Sequence, residues 1–287
     1  MNFKKLAVLT GLALMATLAV TFALTASAAS STTLTVTPVN LQGWQIQGDP
    51  GTFVTFTDGP STPPLGSGSV RLQIPANGDL FTNLRNPNYA GTPLAGLSAL
   101  DYYTFVTNYV DGQAPYLILN VDSDNDGVSD DRLFFEPVYQ SGAYSGDSVP
   151  NQCGSNPACV TLGQWQHWNA LNGGWWSLNE GGGPPLHTLA GYEALHPGTK
   201  IVNREDGAGG VRIVAGGGAG AWDNFDGNAD AFTIGINNNN TTYNFELHNV
   251  PSSAAQCKNG GWQSLTRANA SGFKNQGDCV SYISNGK

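Results

Sequence analysis

From Leu34 onward the chain is built of short runs in which apolar and polar residues alternate, separated by Gly, Pro, Asn and Asp. Residues 34–37, 53–56 and 70–74 repeat with period two, which predicts strands with one face buried. Residues 102–110 and 116–121 follow, the second with few polar interruptions; a strand apolar on both faces is covered on both sides. Residues 133–138 form a returning strand, and further strands are predicted at 200–202, 211–214, 231–236 and 243–247. Leu189, Tyr192 and Leu195 recur at helical spacing between Pro185 and Pro197, predicting one short helix over 188–195. About eleven short strands with a single helix make the fold all-β, a jelly-roll type β-sandwich rather than a parallel α/β sheet.

The two ends of the chain break this pattern. Lys4 and Lys5 precede an apolar run from Leu6 to Leu24, and Ala26-Ser27-Ala28 has the small-x-small form that signal peptidase reads, so 1–28 is read as a signal peptide cleaved after Ala28. The run is also long enough to span a bilayer as an uncleaved anchor. Residues 29–250 hold the sandwich and residues 251–256 a small-residue linker. Residues 257–287 are too few to bury a core unaided and need a disulfide staple. Export directs the protein outside the cell, with no membrane insertion once the leader is removed.

Composition narrows the partners. The formal charge of −9 becomes −11 when Lys4 and Lys5 leave with the leader, and so acidic a chain does not suit nucleic acid or an anionic membrane. Four cysteines remain after export. Their spacing predicts the local pairs Cys153–Cys159 and Cys257–Cys279, although three connectivities are open in principle. It lacks the paired Cys-x2-Cys knuckles of a zinc site.

The densest chemistry lies between the strands at 116–121 and 133–138, where Asp122, Asp124, Asp126, Asp130 and Asp131 fall within ten residues and Arg132 is the only neighbouring cation. Carboxylates about 5 Å apart repel by roughly 1–3 kcal/mol per pair, which calls for a positive counter-ion. Asp-x-Asp-x-Asp-Gly puts alternate side chains on one side of a tight turn and suits calcium. The ligands read from this spacing are the Asp122, Asp124 and Asp126 side chains, the Val128 carbonyl, and Asp130 or Asp131 as the closing carboxylate. Leu133 stands where an EF-hand needs Glu, and the flanks are strands. The loop resembles the aspartate loops of thrombospondin type 3 repeats; set between two strands of an exported protein, where free calcium is millimolar, it reads as a structural clamp rather than a sensor. The alternative is a polar hairpin turning at Asp126-Gly127.

Four of the seven tryptophans lie between Trp165 and Trp176. Flat aromatic faces at a sandwich edge stack on sugars, which makes Trp165, Trp175 and Trp176 candidate ligand contacts. Strand alternation sends Trp165 and Trp168 to opposite faces, so one of that pair belongs to the core. Catalytic signals are weaker. There is no His-Glu-x-x-His, Gly-x-Ser-x-Gly or phosphate loop, and an acid pair for glycoside cleavage would have to come from Glu136, Glu180, Glu193, Glu205 or Asp206.

Taken together, Gly66-Ser67-Gly68-Ser69-Val70-Arg71-Leu72, the aspartate loop, Trp165-Gln166-His167-Trp168 with Trp175-Trp176, and the helix leading into a strand resemble secreted bacterial jelly-roll proteins of the carbohydrate-binding-module kind. The likeness spans most of residues 32–247. Residues 257–262 and 273–281 resemble a C-terminal tail recurrent in exported bacterial proteins. The resemblance implies fold and export. The expected function is a secreted, non-catalytic, calcium-stabilised module that binds polysaccharide or cell-surface glycan; a polysaccharide-degrading enzyme and a purely structural surface protein are the alternatives.

Overall fold

The computed structural model describes residues 30–76, 79–204, 209–218 and 220–285. The leader, Glu205 and Asp206 lie outside the described residues. Two seven-stranded sheets face each other across one apolar core, an all-β sandwich.

The first sheet is organised around β13 (Asp226–Ile236). One of its edges pairs with β6 (Leu97–Asn108), which in turn pairs with β9 (Trp165–Asn169). The other edge is shared. Its first residues pair with β4 (Gly68–Gln73), flanked by β3 (Phe53–Asp58), and its last with β14 (Asn239–Phe245), flanked by β1 (Ser30–Val36). The changeover falls near a register shift at 230–233, where Ala231 has φ +51°. The β1–β14 pair is parallel, and the other pairs are antiparallel.

The second sheet runs β10 (Trp176–Ser177), β8 (Asp131–Phe135), β7 (Tyr116–Asp122), β12 (Val211–Gly216), β5 (Phe81–Asn86) and β2 (Gln45–Gly48). Beyond β12, the same edge of β7 takes β11 (Lys200–Ile201), so β11 and β12 form one strand interrupted by residues 202–210. The β7–β8 pair, Leu117 opposite Phe135 and Val121 opposite Asp131, is the hairpin on which the aspartate loop rides. Every residue of β7 is buried, as its apolar run predicts.

Alternation assigns the faces. Leu84, Leu117, Leu119, Val121, Leu133, Phe135, Val211 and Ile213 point inward and are fully buried. Trp168 is buried on the core side of β9 while Trp165 is half-buried, as the alternation in that segment requires. The helix α1 (Leu189–Leu195) begins at Thr188, whose hydroxyl accepts the Gly191 N–H. A second helix, α2 (Gln276–Asn285), lies in the tail and is absent from the sequence reading. The tail keeps its own small cluster of Cys257, Leu265, Phe273 and Cys279, closed by the Cys257–Cys279 disulfide; Cys153–Cys159 is the second bridge.

Candidate functional site

The aspartate loop leaves β7 at Asp122 and re-enters the sheet at Asp131, turning through Asn125 (φ +66°) and Gly127 (φ +90°). Much of it is knotted by its own side chains. Asp122 Oδ2 accepts the Gly127 N–H at 3.0 Å, Asp124 Oδ1 accepts Asp126 N–H at 3.1 Å, and Asp126 Oδ1 accepts Val128 N–H at 2.8 Å. Asp130 accepts from the Ser123 N–H and hydroxyl, both at 3.0 Å. Asn125 Nδ2 donates to the Pro197 carbonyl, tying the loop tip to the segment after α1.

Within this frame Asp122, Asp124 and Asp130 each bring one carboxylate oxygen to within 4.8 Å of the other two. Asp122 is 2 % exposed, and its Oδ1 is buried without a hydrogen-bond partner. An unsatisfied buried carboxylate oxygen is costly, and a hard cation would satisfy it. Asp126 and Val128 are not part of this trio. Asp131 is turned inward: Oδ2 accepts the Ser177 hydroxyl at 2.5 Å and the Tyr192 hydroxyl at 2.8 Å, and Oδ1 accepts the Asn179 N–H at 3.2 Å. Burial and the bond to Asp131 push the Tyr192 phenol up. Asp131 thus joins β8, β10 and α1.

Under the loop lies a cavity of about 680 Å³, lined by Asn120, Ser129, Arg132, Leu178, Asn203 and Arg204 together with loop residues. Arg132 and Leu178 belong to the outer face of the second sheet. Across that face, Trp176 stands opposite Phe134, Phe134 opposite Ile118, Ile118 opposite Arg212, and Arg212 opposite Arg85. The Trp176 and Phe134 rings stack with centroids 3.8 Å apart and planes 3° from parallel, and the Arg132 guanidinium lies 5.9 Å from the Phe134 centroid. Trp222 covers Tyr116 from the side of the glycine-rich loop. Trp176 Nε1 donates to Glu136 Oε2 at 3.2 Å. Burial pushes the Glu136 carboxyl up to about 7, and the indole N–H opposes the shift.

The three sequence-predicted tryptophans therefore fare differently. Trp175 is 1 % exposed, packs on Phe135 and donates to the Ala170 carbonyl, so it has no free face. Trp165 is half-buried against Phe105 on the other sheet, its Nε1 bonded to the Pro60 carbonyl. Trp176 alone of the three adjoins the cavity face. Among the described candidate acids, Glu180 meets His187 at 2.9 Å, Glu193 accepts the Gly198 N–H, and Glu136 accepts the Trp176 indole N–H. Sequence reasoning missed the arginines: Arg85, Arg132, Arg204 and Arg212 sit on four separate segments, and no local spacing joins them.

No protein-family model matches the chain, and no curated protein does. Among solved structures it is similar to an arabinose-bound α-L-arabinofuranosidase, with 10 % identity, 70 % of this chain and 24 % of that chain covered, and a TM-score of 0.37. It is also similar to a xylan-binding module of family 22 from Paenibacillus barcinonensis, with 13 % identity, 70 % and 88 % covered, TM-score 0.30. A third likeness is to a protein from a xyloglucan utilization locus in Bacteroides uniformis, with 12 % identity, 64 % and 45 % covered, TM-score 0.28. The chain spans about a quarter of the arabinofuranosidase. Likenesses at these scores extend neither a ligand nor an activity to this chain.

Proposed function

We propose that the protein is a secreted, non-catalytic module that binds carbohydrate or a cell-surface polymer on the outer face of its second sheet, with calcium holding the rim. The observation that carries the reading is the cavity of about 680 Å³ between the aspartate loop and that face. Its size falls within the roughly 300–1,000 Å³ of small-ligand sites. Amides at Asn120 and Asn203, the Ser129 hydroxyl and two guanidinium groups supply hydrogen-bonding partners for hydroxyls, and the Phe134–Trp176 stack supplies an apolar shelf beside them. The apolar leader, the Ala26-Ser27-Ala28 exit and two disulfides support export. No described helix is long and apolar enough to cross a membrane.

Asp122, Asp124 and Asp130 would hold the calcium through side-chain oxygens, and Asp131 keeps its structural partners. Outside cells calcium is millimolar, and a weak site of this kind is filled there. Binding to the folded state alone raises stability by about 2.7 kcal/mol at a hundredfold excess over Kd. The melting temperature should therefore rise with calcium and fall with EDTA, and Asp124→Ala should remove the difference. A parent that melts identically in both, with no metal by mass spectrometry, loses the calcium site. For the polymer, a pull-down on insoluble polysaccharides should retain the protein, and Trp176→Ala should be released. A second reading, hydrolysis, has one observation in its favour: burial raises the Glu136 carboxyl to about 7 beside Trp176, the range that suits a general acid at neutral pH. New reducing ends produced by the parent and not by Glu136→Gln would establish it.

A further inference from the structure

The outer face of the first sheet ends in a row of four side chains from four strands. Phe53 on β3 stands opposite Gln73 on β4, Gln73 opposite Asp226 on β13, and Asp226 opposite Asn108 on β6. Leu72 and Ile74, the chain neighbours of Gln73, are 0 % and 2 % exposed, so alternation turns the row away from the core. Strands about 4.8 Å apart make the row roughly 14 Å long. With Pro75 and Phe225 beside it, the row lines a cavity of about 410 Å³, inside the range of small-ligand sites. None of these residues lines the cavity under the aspartate loop.

A single exposed apolar side chain is ordinary on a protein surface, and Phe53, 56 % exposed, would mean nothing alone. Its neighbours give it a setting. The Gln73 side-chain amide makes no hydrogen bond among the described residues, which leaves donors and an acceptor open on a half-buried side chain. Asn108 Nδ2 donates to the Asn224 carbonyl at 2.8 Å, and Asn108 Oδ1 has no donor among the described residues. Asp226, the one charged side chain lining the cavity, is engaged by Arg71: Nε donates to Oδ1 at 2.7 Å and a second nitrogen reaches the other oxygen, so the two charges cancel.

These groups select a ligand class. An ion would find no unpaired opposite charge among the lining residues. A wholly apolar ligand would bury the Gln73 and Asn108 amides without partners, which is costly. A neutral sugar meets both demands, its C–H face lying on the aromatic ring and its hydroxyls bonding the amides. We propose that this cavity is a second glycan site, which takes a neutral oligosaccharide with one ring on Phe53 and hydroxyls bonded to Gln73 and Asn108. It shares the ligand class of the reading above and none of its residues. The outer faces of two packed sheets point away from each other, so one molecule can hold two polymer chains.

The test is calorimetric titration of the purified protein with xylo-, cello- and manno-oligosaccharides and, for charge, with oligogalacturonates. At least one neutral oligomer should bind. Phe53→Ala and Gln73→Ala should each weaken that binding roughly tenfold, the loss expected for one aromatic contact or one neutral hydrogen bond. Phe53→Trp should bind at least as tightly as the parent, and Trp176→Ala should keep this site. Phe53 is exposed, so Phe53→Ala keeps the parent's melting temperature. Soluble oligomers separate the two sites where insoluble polymer does not, because chains on both faces hold the protein by avidity and loss of either site lets it wash off. Binding lost in Trp176→Ala and unchanged in Phe53→Ala and Gln73→Ala overturns the second site and leaves the reading above standing. Binding unchanged in all three variants overturns both placements. A preference for oligogalacturonates that Phe53→Ala abolishes overturns the neutral class, and binding of no oligosaccharide at all overturns this site and the carbohydrate reading together.

Discussion

The two faces of the second sheet each hold buried residues and are finished in different ways. On the inner face the buried polar groups are answered: Asp131 is met by Ser177, Asn179 and Tyr192, and Asn86 Nδ2 donates to the Tyr243 hydroxyl at 3.3 Å, amid aliphatic and aromatic packing. On the outer face Tyr116, Ile118, Phe134 and Arg212 are also below 9 % exposed, yet Arg212 Nε and Asn83 Oδ1 lack partners and Arg132 has no counter-ion among the described residues. Buried polar groups are normally satisfied, so the open groups on this face are where water or a ligand would bond. The first sheet shows that the chain can pair its arginines: Arg71 Nε donates to Asp226 Oδ1 at 2.7 Å, and a second nitrogen meets the other oxygen.

The difference between the faces is sharpest in adjacent tryptophans. Trp175→Ala should cost about 3–5 kcal/mol in urea unfolding, the cost of emptying a core site, whereas Trp176→Ala should cost about 1–2 kcal/mol and lose polymer binding. Equal stability losses would erase the distinction. Next, Asp131→Ala should cost about 3 kcal/mol whether or not calcium is present, because it strands buried hydroxyls at Ser177 and Tyr192. A cost that appears only with calcium would return Asp131 to the metal site.

The raised carboxyls give a smaller, pH-dependent effect. Glu136 sits near 7 in the folded protein against an ordinary 4.5, held up mainly by burial, so the native state keeps a proton that the unfolded chain releases. Its contribution is intact below about pH 4.5 and is lost progressively as pH rises to about 7, at most on the order of 3 kcal/mol. Asp230, also raised to about 7 by burial, acts with the same sign. Glu136→Gln should flatten part of the decline in melting temperature between pH 4.5 and 7, and an unchanged profile would place Glu136 in contact with water. The smallest effect belongs to Arg132→Gln, which should move stability by no more than about 0.5 kcal/mol. A large loss would mean that Arg132 is structural after all.

The sequence made the inner face legible and the outer face not. Strands such as β7 announced themselves through apolar residues on both faces, and the 153–159 bridge through its short span. β5 went unread because Thr82, Asn83 and Asn86 are buried polar residues, which break the alternation that marks a strand, and β2 because its four residues are all exposed. For α2 a signal was present: Asn275 Oδ1 accepts the Asp278 N–H, a cap readable in Asn275-x-x-Asp278, but glycine and a single apolar turn masked it. The aspartate trio was legible because its members lie within nine residues of one another. The arginine cluster was not, since strands far apart in sequence bring its members together only when the sheet forms.

That dependence on distant segments is strongest at β13. Its two edges are bonded to strands from residues 68–73, 97–108 and 239–245, so the first sheet has no centre until residues 226–236 are available. During synthesis the earlier strands must wait, unpaired on at least one edge, while nearly four-fifths of the chain emerges. The contacts that then form join residues far apart along the chain, the pattern that makes folding slow. Under the secreted reading proposed above, this delay would be useful, because the strands are not locked together until the last of the sheet has arrived.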